Sequence, residues 1–246
     1  MNTYSYSINK NIKTKLFQAL TLVTISVCIF SVSTLEALAT SHNSSLNFDV
    51  SGATYASISD ATQKGLDITG DMTIAMWVMP STIIGNMALV SKWSKADKTS
   101  YILFLEDGLL GVHLNDAPNG YGYSRLFAPH GKSANEWFHV AMVFSTASNT
   151  VELFVDGVSI GLSYDVPPSI SNTDADFVIG GREDLIAPFV GKIKDVRIWS
   201  RALSRNMIND LFQNPNSFKN GELLQGYWKF NGNLHDKSGN KNNLQF

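Results

Sequence analysis

Apolar and polar residues alternate along most of this chain, and the places where the alternation breaks carry the most information. In FVGKIKDVRIWSRALSRNMI, residues 189–208, Phe189, Gly191 and Ile193 alternate with Val190, Lys192 and Lys194. That is the period-2 pattern of a strand with one buried face. The apolar phase then slips, and Val196 and Ile198 take the even positions that the two lysines held. A one-residue slip would expose the whole apolar set, so the pattern predicts a β-bulge near Lys194-Asp195. After Trp199 the period changes. Ser204 has the chemistry of a helix N-cap, with Leu203 before it and Ile208 four residues after it placed as a hydrophobic staple. Ile208, Leu211 and Phe212 follow at helical spacing, and Asn214-Pro215 ends the run. One short helix near 204–213 is therefore expected, joined to the end of a bulged strand.

The rest of the pattern is β. Ser45 to Phe48 alternates, and Tyr55, Ser57 and Ile58 continue a sheet after a turn at Ser51-Gly52. Met72 to Met79 is apolar in both phases, as a central strand covered on both sides would be, and Pro80 ends it. Further strands read at Ala88–Trp93, Tyr101–Leu105, Leu109–Leu114, Trp137–Ser145, Thr150–Val155, Val158–Leu162 and Phe177–Gly180. Hairpin turns fall at Glu106-Asp107-Gly108 and Asp156-Gly157. About eleven to thirteen short strands at sandwich spacing, with one helix, predict an all-β jelly-roll of two antiparallel sheets. Trp77, Trp137, Trp199 and Trp228 lie in strand patterns and read as core.

Several stretches resemble laminin-G-like, pentraxin-like jelly rolls of the concanavalin A-like lectin and glucanase group. In that group G-x-I-x-x-V-R-I-W-x-x-A-L-S recurs, and Gly191, Ile193, Val196, Arg197, Ile198, Trp199, Ala202, Leu203 and Ser204 fit it. LDITGDMTIAMWVMP resembles the group's early strand, and EWFHVAMVF…VELFVDG its W-x-H-V-A meander. The ending, Y-W-x-F followed by D-x-S-G-N, opens the jelly roll in many relatives. Here it either closes this domain or begins a second, truncated one.

Composition and charge narrow the setting. Residues 1–39 read as a secretory signal: Lys10, Lys13 and Lys15, an apolar run from Leu16 to Leu35, then Ala37-Leu38-Ala39. Residues 40–246 are then the jelly-roll domain, exported to the periplasm, the cell surface or the medium. Cys28, the one cysteine, falls in the leader, so the exported domain is held by its core without disulfides. A net charge of −2 without basic blocks argues against nucleic acid as a partner. No second apolar run of spanning length follows residue 39.

For catalysis, the glucanases of this sandwich need carboxylates spaced along one strand face. The acidic pairs here, Glu106-Asp107 and Glu183-Asp184, are adjacent and would point to opposite faces. His139 has no nucleophile motif beside it and reads as a packed imidazole. The chain is therefore expected not to be an enzyme. Calcium is the metal to expect, since it takes six to eight oxygens of the kind that rim loops supply. The pentraxin-like resemblance places its ligands at Asp97 and at Glu183 and Asp184, although Arg182 stands where a further carboxylate would. Asp236 with Asn240 fits a cation site or an Asx-type turn equally well. For sugars, the loop NDAPNGYGY offers aromatic rings with polar neighbours: Asn115, Asp116, Asn119, Tyr121 and Tyr123, with Trp93 near. The resemblance and the missing catalytic pair imply a recognition module for a glycan or surface glycoprotein, assisted by calcium. The alternative is a structural or adhesion domain that oligomerises or packs on other chains.

Overall fold

The computed structural model describes residues 45–49, 55–94, 98–116 and 123–246. These residues form two antiparallel sheets and one helix. The strands are β1 (Leu46–Phe48), β2 (Ala56–Ile58), β3 (Met72–Pro80), β4 (Asn86–Trp93), β5 (Thr99–Glu106), β6 (Leu109–Asn115) and β7 (Tyr123–Pro129). They continue as β8 (Phe138–Ser145), β9 (Thr150–Val155), β10 (Val158–Ser163), β11 (Phe177–Ile179), β12 (Gly191–Trp199) and β13 (Leu224–Trp228), with helix α1 (Arg205–Gln213) between the last two. The first sheet runs β1-β12-β3-β8-β9-β10, with β13 also pairing β12, and the second runs β2-β11-β4-β5-β6-β7. The jelly-roll expectation holds. Strand β7, which the alternation did not assign, completes the second sheet.

The inner faces meet in one core. Met72, Ile74, Met76 and Val78 of β3 pack with Tyr101, Leu103 and Leu105 of β5 and Leu110, Val112 and Leu114 of β6. The expected bulge is in β12: Lys194 faces Trp77 and Arg197 faces Ala75, so Asp195 and Val196 share one partner position. Asp195 takes φ +58° there, and the slip leaves Ile193, Val196 and Ile198 all in the core. Gly191 opens β12 at φ +140°, where a Cβ would collide with the Met79 carbonyl, so only glycine lets β12 approach β3 there.

Helix α1 explains why β3 is apolar in both phases. The Ser204 hydroxyl accepts the Met207 N–H at 3.3 Å and caps it. Leu203, Ile208 and Leu211 then pack on the outer face of the first sheet against Ala75, Ala141, Val143, Phe154 and Trp199. Ala75 and Ala141 are cross-strand partners, and their small side chains form a flat seat for the helix. Beside it, Arg197 donates to the Pro215 carbonyl at 2.6 Å and to the Tyr227 hydroxyl at 3.0 Å, tying down the segment after the helix.

Two of the four tryptophans are not core. Trp199 and Trp228 are wholly buried, whereas Trp77 and Trp137 are half-buried on the outer face of the first sheet. There the Lys194 ammonium lies 4.6 Å from the Trp137 ring centre and 5.6 Å from that of Trp77. The alternation placed these rings in strands but could not say that a lysine stem would cover them.

The C-terminal stretch belongs to this sandwich. Trp228 pairs with Val196, its indole N–H donates to the Asn242 carbonyl at 2.8 Å, and Gln245 bridges to Ser57 of β2. Asp236 forms an Asx-type turn: its carboxylate accepts N–H groups of Tyr227, Ser238 and Asn242 and the Ser238 hydroxyl.

Candidate functional site

The outer face of the second sheet lacks a covering helix among the described residues, yet it is aromatic. On β5, Ile102 and Phe104 point away from the core, as do Trp93 on β4 and Phe127 on β7, and all four pack in one cluster with Ala88. The register sets them side by side: Ile102 faces His113, which faces Arg125, while Phe104 faces Gly111, which faces Phe127. Gly111 has no side chain to lift the neighbouring ring. A Cβ there would sit 2.6 Å from Phe104, so the Phe104 ring lies across the gap. Ring centres are 4.8 Å apart for Phe104–His113, 5.4 Å for Phe104–Phe127 and 5.8 Å for Trp93–His113. Phe104 is buried, while Trp93, His113 and Phe127 are half-exposed. This is a sheet face whose solvent-side positions carry rings instead of the polar residues usual there.

The loop after β11 forms one wall. Arg182 donates from Nη2 to the Ser94 carbonyl at 2.9 Å and to Asp184 at 2.6 Å. The Ala187 carbonyl accepts the Ala88 N–H at 2.9 Å, and its side chain packs on the aromatic cluster. Between these anchors Leu185 and Ile186 are exposed, and both Leu185 and Ala187 hold positive φ, +61° and +57°. Non-glycine residues in that region cost on the order of 1–3 kcal/mol each, which the flanking anchors sustain.

The end of β6 and the start of β7 form the rim. Asn115 is wholly buried; its amide donates to the Thr99 carbonyl at 3.0 Å and to the Thr99 hydroxyl, and its carbonyl accepts the Ser171 N–H. It is a clasp between strands, a correction to its reading as a sugar contact. Asp116 is exposed beside it, and Tyr123 stands opposite Asn115 in the ladder. Asn119 and Tyr121 lie outside the described residues. The structure thus brings Asp116 and Tyr123 to the end of the sheet where Trp93 sits.

Of the acids expected for calcium, Glu183 and Asp184 each have a partner in the structure. Glu183 accepts the Asp176 N–H at 3.0 Å, and Asp184 is bound to Arg182. Asp97 lies outside the described residues. Asp184 thus faces the Arg182 guanidinium. Among the described residues no group of three or more His, Cys, Asp or Glu side chains is arranged to hold a metal.

Each sheet carries a histidine whose charged form burial disfavours. Burial pushes the His113 imidazole down to about 4, helped by the positive charges of Arg125 and Arg182, so it is neutral at physiological pH. On the other sheet burial pushes His139 down to about 3, against the pull of Asp156 and with the push of Arg197. His139 is packed between Trp77 and Phe212, as the packed reading expects. Two shallow depressions, about 310 and 250 Å³, lie elsewhere. The first is lined by Asp67, Thr69, Asp71, Ser200 and Gln225, the second by Leu46, Phe230, Leu234 and Phe246.

Sequence reasoning missed Phe104, His113, Arg125 and Phe127 as parts of one face. A signal was present: Tyr101 to Leu105 is apolar in both phases, as β3 is, but among the described residues a helix covers the second face of β3 and not that of β5.

A family model described as the concanavalin A-like lectin/glucanases superfamily matches residues 50–209. No curated protein matches the chain. Among solved structures, a native heptameric SAP-like pentraxin from Limulus polyphemus is 18% identical with a TM-score of 0.58, over 74% of this chain and 86% of that one. A candidate carbohydrate-binding protein from Bacteroides ovatus is 21% identical with a TM-score of 0.62, over 82% of this chain but only 58% of that one. The CBM40 domain of the Ruminococcus gnavus IT-sialidase, bound to α2,3-sialyllactose, is 15% identical with a TM-score of 0.56, over 69% of this chain and 97% of that one. At these identities the likeness is one of fold.

Proposed function

The chain belongs to the concanavalin A-like lectin/glucanases superfamily, and from that premise we propose an exported, non-catalytic module that binds carbohydrate, free or on a glycoprotein. The binding surface is the outer face of the second sheet. The observation that carries this reading is the half-exposed ring surface of Trp93, His113 and Phe127, which offers a pyranose an apolar face with the exposed Asp116 at the end of the sheet for hydroxyl groups. The sugar- and lectin-like neighbours in fold agree with it. Catalysis is left out on chemical grounds. Hydrolysis takes two carboxylates flanking one bond, and Glu183 and Asp184 are bound to the Asp176 N–H and to Arg182.

The test is a broad glycan array probed with the purified protein in EDTA and in millimolar calcium. Binding is expected in both conditions, and Trp93→Ala lowers it about tenfold through loss of one ring contact. No binding in either condition overturns the reading. Calcium dependence would bring Asp97 and its loop into the site.

A second reading has its own observation. Edge strand β10 and the residue after it expose Val158 (64%), Leu162 (38%) and Tyr164 (69%), a row suited to contact with another chain. Concentration-dependent assembly in sedimentation without glycan affinity would favour a structural or adhesion domain.

A further inference from the structure

We propose that the oxygen shell around the Lys92 ammonium is a calcium-type cation site filled by the chain's own side chain, and that a free calcium ion takes its place once the lysine is removed. Nothing in this depends on the glycan reading.

The donors come from two long connections. Asp60 and Asp67 lie between β2 and β3, and Thr173 and Ala175 lie between β10 and β11. Lys92 of β4 reaches all four with a side chain that is 1% exposed. Its Nζ is 2.6 Å from Asp60 Oδ1 and 2.9 Å from Asp67 Oδ1, and the Thr173 and Ala175 carbonyls accept from it at 2.7 and 2.8 Å. An ammonium has three N–H donors, so four oxygens surround three hydrogens. Two carboxylates also face a single positive charge. A divalent cation answers both mismatches. Carboxylates and carbonyls are the oxygens calcium takes, and two bidentate aspartates with two carbonyls supply six, the lower end of its range.

The shell is held in place by bonds that do not involve the lysine. The Asp60 N–H donates to the Asp176 carboxylate at 2.9 Å. The carbonyl of Leu66, the residue before Asp67, accepts the Tyr101 hydroxyl at 3.0 Å. The Thr173 hydroxyl is hydrogen-bonded to that of Ser100 at 3.1 Å, and the Ser100 hydroxyl donates to the Ser171 carbonyl at 2.6 Å. Removing the ammonium therefore leaves a formed set of oxygens with its negative charge unanswered. Calcium binds oxygen at about 2.3–2.6 Å, so the shell has to close by about 0.3 Å around it. The Asp60 and Asp67 side chains are 25% and 33% exposed, which leaves them free to move inward. Magnesium demands an octahedron at about 2.0–2.1 Å and fits this shell less well.

The experiment records thermal melts of the purified parent and of Lys92→Ala in EDTA, in millimolar calcium and in millimolar magnesium. A fourth arm uses n-propylammonium, which replaces the missing stem and charge. In EDTA, Lys92→Ala should melt about 10 °C below the parent. Calcium should raise the variant by about 5 °C more than it raises the parent, and magnesium by much less. Adding Asp67→Asn to Lys92→Ala should abolish that response. Recovery with n-propylammonium but not with calcium makes the shell a plain ammonium site and overturns the inference, as does recovery with neither. An equal rise in parent and variant places the ion elsewhere and also overturns it. If Lys92→Ala does not fold in EDTA, refolding from urea is followed by near-ultraviolet circular dichroism. Recovery of the native spectrum in calcium then supports the inference, and failure in calcium overturns it.

Discussion

Lys92 carries an ammonium into the interior, where it is coordinated much as a metal ion would be. Asp60 lies 2.6 Å from it and Asp67 2.9 Å, and the carbonyls of Thr173 and Ala175 accept from it at 2.7 and 2.8 Å. The side chain is 1% exposed, so its charge is sustained only by those four oxygens. Lys92→Met should lower the unfolding free energy by about 3 kcal/mol, near the low end for breaking a buried pair because both aspartates still reach water. Urea unfolding would measure it; an unchanged midpoint with an unchanged slope would refute this account of the site. Nothing in the strand pattern of Ala88–Trp93 announced the buried lysine. The register of β4 shifts between Ala88 and Val90, and that shift, invisible to alternation, turns Leu89 and Val90 inward together. His139 gives a second prediction at this scale. Its folded-state pKa is depressed, so its contribution to stability is complete above the unfolded value near 6.5. It declines as pH falls towards about 3, because the unfolded chain then takes up a proton that the folded chain refuses. His113 adds the same sign between 6.5 and about 4. The urea midpoint should fall on acidification from neutral pH, and His139→Gln should flatten that fall.

Among the elements, α1 was the most legible. Ser204, Leu203, Ile208 and the Asn214-Pro215 stop act within one or two turns of chain, so their chemistry is readable without tertiary context. Ser204→Ala should cost about 1 kcal/mol by leaving the Met207 N–H without its acceptor. Loss of the cap should also loosen the helix over Trp199 and Phe154, which near-ultraviolet circular dichroism would detect before global unfolding. If Ser204→Ala melts like the parent, the cap contributes nothing. Strand β7 was the least legible element. Leu126 and Ala128 pack inward while Arg125 and Phe127 point out, so an aromatic residue occupies the phase where alternation expects a polar one. The feature that hid the strand is the feature that makes the candidate site.

At the scale of the whole sandwich, the C-terminal stretch holds the two sheets together. The Asn242 side chain accepts the Lys64 N–H and donates to the Lys64 and Gln225 carbonyls, and Leu244 packs in the core. The C-terminal stretch therefore joins β13 in the first sheet to β2 in the second. Removing residues 231–246 would uncover Trp228 and free the Ser57 edge. The truncated protein is expected to lose its cooperative thermal transition and to be cut rapidly by proteases. A truncation that melts like the full chain would show the closure to be dispensable.

The sequence by itself determined the all-β sandwich, the bulge at Lys194-Asp195, the capped helix and the short turns. Each follows from residues a few positions apart, where periodicity and local hydrogen bonding act without the rest of the chain. Only the tertiary structure decided which doubly apolar strand received a helix, and hence which face was left with exposed rings. Only the register across β4, β5, β6 and β7 set Trp93, His113 and Arg125 on one surface and brought Arg182 to its edge from a distant loop. Pairing between strands far apart in sequence depends on the packing of the whole core, and that information is in no single stretch of the chain.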